Sequence, residues 1–496
     1  MDKNSTAIIS HPPIIQGGMG VAVSNWHLAR AVSLCGQLGV VSGTFLDNVL
    51  TKRLQDGDLD GSLRRALKAF PAQEVAESIL RAYFIEGGKA ENALYRTVPM
   101  HSLKSSKVVI DLTVLANFVE VFLAKEGHDG VVGVNYLTKI DLPTLPSLYG
   151  AMLAGVDYVL MGAGIPKAIP GILDKLSVGE VVSLKIEVAG ALPEDSFEMT
   201  FDPSPYHPNR EEKLKRPFFL PIVSSSTLAL SLTKKASGRV DGFVVEHHTA
   251  GGHNAPPRGG ITVDESGEPK YGLKDEPIIA ELLKIGLPFW LAGSYATAEK
   301  LAAAREAGAQ GIQVGTAFAY CEESGICAEI KNQVIEKVLD GTVEVFTDPR
   351  ASASGYPFKV VKLEGTMSEP EEYERRKRIC DGGYLRSAYK TESGSVGFRC
   401  AAEPVEEYVK KGGNAEDTVG RKCLCNGLLA TAGFSKVHSD GYEELPIVTA
   451  GKELASITQF FEDKASSYTA AQVIATLLGS KSAQPAAIHS CANVIS

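Results

Sequence analysis

An α/β fold, a (β/α)8 TIM barrel with insertions and a C-terminal extension, is the architecture the sequence predicts. Three observations predict it. Short runs rich in Val and Ile are continuously apolar instead of alternating, as expected of parallel strands buried on both faces. Longer segments of helical periodicity fall between them, such as "TAEKLAAAREAG", which stops at Gly308. The alternation recurs about eight times before residue 350, as a (β/α)8 barrel requires.

In chain order the strand candidates are "PIIQ" at 13–16, "LGVVSG" at 38–43, "VVGVNY" at 131–136 and "DYVLMG" at 157–162. They continue with "FLPIVSS" at 219–225, "GFVVEH" at 242–247, "PFWLAG" at 288–293 and "GIQVG" at 311–315. Residues 1–350 are expected to form the barrel. Between the second and third strands a segment at about 45–110 is mostly helical by pattern and is expected to insert there as part of a lid. A ninth apolar run, "VVSLKIEVAG", and the following "SFEMTFDP" read as a hairpin inserted at about 181–216. After 350 the texture changes. "DPRASASGYPF" is turn-rich, "EPEEYERRKRIC" reads as a charged helix, and 351–496 is expected to be an extension of mixed helix and loop. The last residues, "KSAQPAAIHSCANVIS", read as a loosely held tail.

Composition narrows the function classes. A net charge of −9 with no long basic run excludes a nucleic-acid footprint. No run approaches the ~20 apolar residues of a membrane span, and "MDKNSTAIISHPP" has no export-signal core. Eight cysteines in 496 residues are too sparse for a disulfide framework. They read as thiols or metal ligands in a reducing compartment, the cytoplasm. The expected partner is a small molecule, with a homo-oligomer open.

Barrel enzymes work at the C-terminal ends of their strands, so strand ends are where chemistry is sought. "GFVVEH" runs directly into "HTAGGHNAPPRGG", a Gly- and Pro-rich segment placed over the barrel mouth. "WLAGSYAT" ends a strand at Gly293-Ser294, and "IQVGTAF" ends the next at Gly315-Thr316. Amides freed at such turns favour a bound anion, and consecutive late strands are a recurring phosphate site in barrels. A phosphate-bearing ligand at these four residues is therefore expected.

"PIIQGGMGVAVS", "GVNYLT", "EHHTAGGH", "LAGSYATAEKLAAAREAGAQGIQVGTAF" and "TDPRASASGYPFKVV" occur in that order. Together they resemble the nitronate monooxygenase family, once called 2-nitropropane dioxygenases and related to FMN-dependent enoyl reductases. The resemblance covers roughly 12–360 and implies an FMN-binding barrel. It puts the catalytic histidine at His253 and an acidic residue at Glu246. It puts the FMN phosphate on Gly293, Ser294, Gly315 and Thr316. Gln16, Gly17, Gly18 and Met19 would lie against the flavin ring, with Gly252, Asn135 and the neighbouring Tyr136. Where some members carry a lysine after the fifth strand, this chain has Ser225 and Ser226.

An imidazole near neutral pKa can take a proton from a carbon acid or hold an anion when charged. The resemblance thus implies FMN-dependent oxidation of a nitronate or nitroalkane by O2, with His253 as base or anion-binding group. An enoyl thioester reductase using NAD(P)H would use the same position to polarise a carbonyl. A barrel that binds a phosphorylated metabolite without redox work is the alternative of another class. Arg258 reads equally as an anion contact or an exposed loop residue. His247 and His248 lack a carboxylate at ligand spacing, so no metal is expected there. Cys380, Cys400, Cys423 and Cys425 follow the pattern C-x19-C-x22-C-x-C, which matches no standard signature but could hold zinc or an iron–sulfur cluster. Cys321 and Cys327 are expected to pack on one helix.

Overall fold

The computed structural model describes residues 11–207, 212–462 and 467–480. The expected loose tail and residues 1–10 lie outside the described residues. Eight parallel strands close into a barrel, β1 (Ile14–Gln16), β2 (Leu38–Ser42), β3 (Val132–Leu137), β4 (Tyr158–Gly162), β5 (Phe218–Val223), β6 (Phe243–Glu246), β7 (Phe289–Ala292) and β8 (Gly311–Val314). Each pairs with its successor, and β8 returns to β1 with Ile14 opposite Ile312. All eight predicted runs are barrel strands.

Why the runs are apolar on both sides is visible residue by residue. Ile15, Val40, Leu160, Val244 and Trp290 fill the barrel interior, while their neighbours Ile14, Val41, Val159, Val245 and Leu291 face the surrounding helices. Successive strand residues point to opposite faces, and here both faces are covered. The N-terminal segment plugs the base: the indole N–H of Trp290 donates to the Pro12 carbonyl at 2.9 Å, and His11 Nδ1 lies 2.7 Å from the Tyr158 hydroxyl.

The helical insertion forms Leu46–Gln55, Ser62–Ala69 and Gln73–Tyr83. All three pack on the long helix Lys107–Lys125 that leads into β3. The hairpin insertion pairs Val182–Lys185 with Glu198–Phe201 antiparallel. The apolar run 181–190 is not one strand, however. It breaks after Lys185, and Val188–Ala189 pairs in parallel with Ser387–Lys390 from the extension. A division at residue 350 cuts through another antiparallel pair, Val345–Asp348 with Phe358–Val361.

Two helical expectations are corrected. In "EPEEYERRKRIC" only Pro370–Arg375 is helical. Arg376 and Arg378 are extended beyond it because their guanidiniums donate to backbone carbonyls of other loops, Arg421 for the first and Ala401 and Glu403 for the second. Cys321 and Cys327 do not share a helix. Thr316–Ala319 ends before Cys321, and Cys327 caps Ala328–Leu339. Lys331 Nζ gathers the carbonyls of Cys321, Glu322 and Ser324 between them and holds a turn. Among the described residues no helix is long and apolar enough to cross a membrane.

Candidate active site

A cavity of about 230 Å3 opens at the C-terminal ends of the strands. Its floor is made by the residues after β1 and β8, its sides by the turns after β6 and β7, and its roof by the extension, through Leu428, Ala450, Gly451 and Ile457. Gly17, Gly18, Met19, Asn135, Glu246, Gly252, His253, Gly293, Ser294, Gly315 and Thr316 all line it. The loops after β7 and β8, adjacent strands of the barrel, therefore face one space.

Four residues from the sequence reading stand elsewhere. Tyr136 follows the strand alternation outward, and its hydroxyl donates to Asn117 Oδ1 at 2.9 Å and to the Ser147 carbonyl. Gln16 is fully buried behind the cavity. Its carbonyl oxygen accepts from the Val40 amide at 3.0 Å, and its amide nitrogen donates to Ser24 Oγ at 2.9 Å. It ties β1 to β2. Ser225 caps the helix Ser226–Lys235 by accepting from the Leu228 amide, and Ser226 donates to Glu281 at 2.6 Å. Neither serine lines the cavity.

The turn after β7 is the most constrained. Gly293 has φ +91°, and a Cβ there would lie 2.9 Å from the His247 carbonyl oxygen. Ser294 is left-handed too, at φ +63°, which costs a non-glycine residue of order 1 kcal/mol or more. Lys300 holds it by donating to the Ser294 carbonyl at 2.5 Å while pairing with Glu453 at 2.6 Å. After β8, Thr316 Oγ1 accepts from the Gly451 amide at 2.8 Å, so the extension is tied to this turn. On the wall between, Gln313 Oε1 is buried without a hydrogen-bond partner among the described residues. A buried orphan acceptor is costly, and it is the kind of atom a ligand N–H satisfies.

His253 lines the same cavity. Its Nε2 is 2.7 Å from Ser352 Oγ, and its ring meets Phe358 edge-on at 4.9 Å. Burial lowers its pKa to about 4, so the ring is neutral at pH 7. The extension fixes the loop that carries it, since the Lys359 amide donates to the Gly252 carbonyl at 3.0 Å and the Asn254 amide to Pro357 at 2.9 Å. Burial pushes Glu246 up to about 7, with Lys359 opposing. Lys359 is itself completely buried and is pushed down to about 7. Its Nζ donates to the His248 carbonyl and to Asn254 Oδ1. The sequence reading passed over this lysine. The available signal was a single charged residue inside the apolar run "PFKVV".

Two further cavities are present, and the first shares a wall with the strand-end cavity. One, of about 280 Å3, lies on the other side of Glu246 and His253 and is lined by His247, His248, Arg258 and Tyr271. His248 stacks on Tyr271 at 4.0 Å. His247 Nε2 is 2.9 Å from Glu276, so the carboxylate that the local spacing lacks arrives from 29 residues away. His247, His248 and Glu276 are the one group among the described residues with three candidate ligand atoms within 4.8 Å of one another. The other cavity, about 290 Å3, is lined by Lys139, Asp141 and Arg386, and by Ala353 and Ser354, which follow the His253 partner Ser352.

A closed parallel barrel with a glycine-lined cavity at its strand ends defines a barrel enzyme of the (β/α)8 class. Residues 170–379 match the family model Nitronate monooxygenase. No curated protein matches the sequence. Among solved structures, nitroalkane oxidase from Streptomyces ansochromogenes is 14% identical with a TM-score of 0.43, over 94% of this chain and 95% of that one. FabK from Thermotoga maritima is 17% identical with a TM-score of 0.37, over 82% and 93%. The enoyl reductase domain of MlnA from Bacillus amyloliquefaciens is 10% identical with a TM-score of 0.43, over 93% and 91%.

Proposed function

We propose that the strand-end cavity binds FMN and that the chain is a flavin-dependent oxidoreductase of a small organic substrate. The observation that carries the reading is the placement of two adjacent glycine turns and a half-buried neutral imidazole around one cavity. Gly293, Ser294, Gly315 and Thr316 would hold the phosphate through turn amides. Gly17, Gly18, Met19, Asn135 and Gly252 would lie along the ring system, and Gln313 Oε1 would accept a ring N–H. Glu246, near half-protonated at pH 7, would act as donor or acceptor toward the ligand. Gln16 and Ser225 support the scaffold from behind. When bound, FMN supplies the electron transfer; the protein's part is to bind, orient and move protons.

Two reactions suit this site, and His253 separates them. Oxidation of a nitronate asks for a cation beside the substrate anion, or a base strong enough to make that anion. A ring with a pKa near 4 is uncharged at pH 7 and a weak base. Lys359, the nearest buried cation, is turned to His248 and Asn254. Polarising a thioester carbonyl asks only for an N–H, which a neutral imidazole has. On these grounds, reduction of an enoyl thioester with NAD(P)H stands ahead of nitronate oxidation by O2.

Purified chain is expected to show a flavin absorption spectrum, alone or after FMN is added. It should oxidise NAD(P)H only when an enoyl thioester is present. Oxygen uptake with a propyl nitronate, and no thioester-dependent NAD(P)H loss, reverses the order of the two reactions. Protein that stays colourless with FMN removes both.

A further inference from the structure

Four cysteines in the extension have no part in the flavin reading. Cys380, Cys400, Cys423 and Cys425 come from three segments separated by 19 and 22 residues. The fold nevertheless brings all four to the lining of one small cavity. Its volume is about 10 Å3, room for one atom-sized occupant and not for a cluster of irons and sulfides. No disulfide joins them.

The surroundings are built for sulfur. The Cys380 thiol faces that of Cys400. The loop after Cys380 lies directly on Cys425: a Cβ at Gly382 would stand 3.1 Å from the Cys425 Cβ. Backbone amides point at the sulfurs, that of Asn426 at Cys423 and those of Tyr384 and Leu385 at Cys425. Amide N–H groups aimed at sulfur favour the thiolate, the form that ligates metal, whereas burial and the neighbouring sulfurs raise Cys380, Cys423 and Cys425 and keep them thiols until a cation arrives. Four thiolates around a dication leave about two net negative charges. Arg386, close to Cys380, Cys400 and Cys425, offsets part of them, and Lys422 on the cavity wall is shared with Asp348.

We propose that Cys380, Cys400, Cys423 and Cys425 form a structural zinc site that staples the extension together. Four Zn–S bonds form as four S–H bonds break, the protons pass to solvent, and no electron is transferred. The sulfurs now stand around the cavity without closing on it, since no three of them lie within 4.8 Å of one another. Rotation of the thiols inward is the change the ion drives. Sites of this kind couple metal binding to folding because like-charged sulfurs need the cation between them. The local cluster around Tyr384, Leu424 and Ile447 is small and is shared with barrel-side residues such as Phe45 and Ile140, and small cores are commonly stapled by a metal.

The test is the metal content of the full chain, purified under reducing conditions without added metal. About one zinc per chain is expected, retained in His247→Ala and lost in Cys423→Ser and Cys400→Ser. If those variants fail to fold, the unmodified chain still answers. A mercurial thiol reagent should release zinc in proportion to the thiols titrated. Exchange with cobalt should give an intense thiolate-to-metal band in the near ultraviolet. A chain that holds no zinc and shows no such band overturns the proposal. So does zinc lost with His247→Ala but kept in Cys423→Ser, labile sulfide with iron, or a native mass lowered by about two daltons with Cys380 linked to Cys400.

Discussion

The barrel and the extension are held together by different physics. Barrel strands are three to six residues long, run parallel and bury apolar side chains on both faces. The extension has few strands and short helices, and much of its order comes from side chains that reach backbone carbonyls. Arg378 serves Ala401, Glu403 and Thr418, and Arg376 serves Arg421. The two regions still make one cavity, because the extension supplies the roof and ties down both the β8 turn and the His253 loop. The lesson is that the candidate chemistry sits on the barrel while its enclosure depends on the extension, part of which packs into the barrel's own core through residues such as Val448, Ile457 and Ile474.

That contrast can be broken at several points. The largest effect is expected from His253→Ala, which removes the candidate catalytic ring together with its contacts to Ser352 and Phe358 of the extension. Turnover should fall about 10²–10⁴-fold, equivalent to roughly 3–5 kcal/mol, with flavin retention unchanged. Full turnover in this variant removes His253 from the reaction. Next is Arg378→Met, which strands three carbonyls at a cost of about 3 kcal/mol. Limited proteolysis should cut the extension first, while the barrel's far-ultraviolet dichroism persists. Simultaneous loss of both would show that the two regions unfold as one unit.

A pH effect of about 2 kcal/mol should come from His253. Its folded pKa of about 4 lies below the ordinary 6.5, so the unfolded chain binds the extra proton between these values. Stability from this group is therefore complete above about pH 6.5 and is lost as pH falls toward 4. Urea unfolding across that range should be steeper in pH for the unaltered chain than for His253→Phe; parallel curves would refute the buried neutral ring. The smallest change is expected from Tyr136→Phe, about 1 kcal/mol, with flavin binding and turnover intact. Loss of flavin in this variant would put Tyr136 on the cavity side of β3 after all.

The eight barrel strands were legible because each is a short apolar run that a parallel sheet buries on both faces. The glycine turns after β7 and β8 were legible for a similar local reason. Gly293 must adopt a left-handed conformation against the His247 carbonyl, and residue type alone announces such a need. The same logic failed for Tyr136 and Ser225. Nearness to a strand end says nothing about which face a side chain takes or whether a helix claims it as a cap.

Local pattern by itself, then, settled the barrel and its strand ends, since periodicity and backbone constraints act over a few residues, while the candidate histidine was singled out by the family resemblance. Only tertiary structure decided what surrounds that histidine. Burial, Ser352, Phe358, the hidden Lys359 and the roof all arrive from more than a hundred residues away or close to it. A pKa depends on everything within a few ångströms in space, and no stretch of sequence carries that distance.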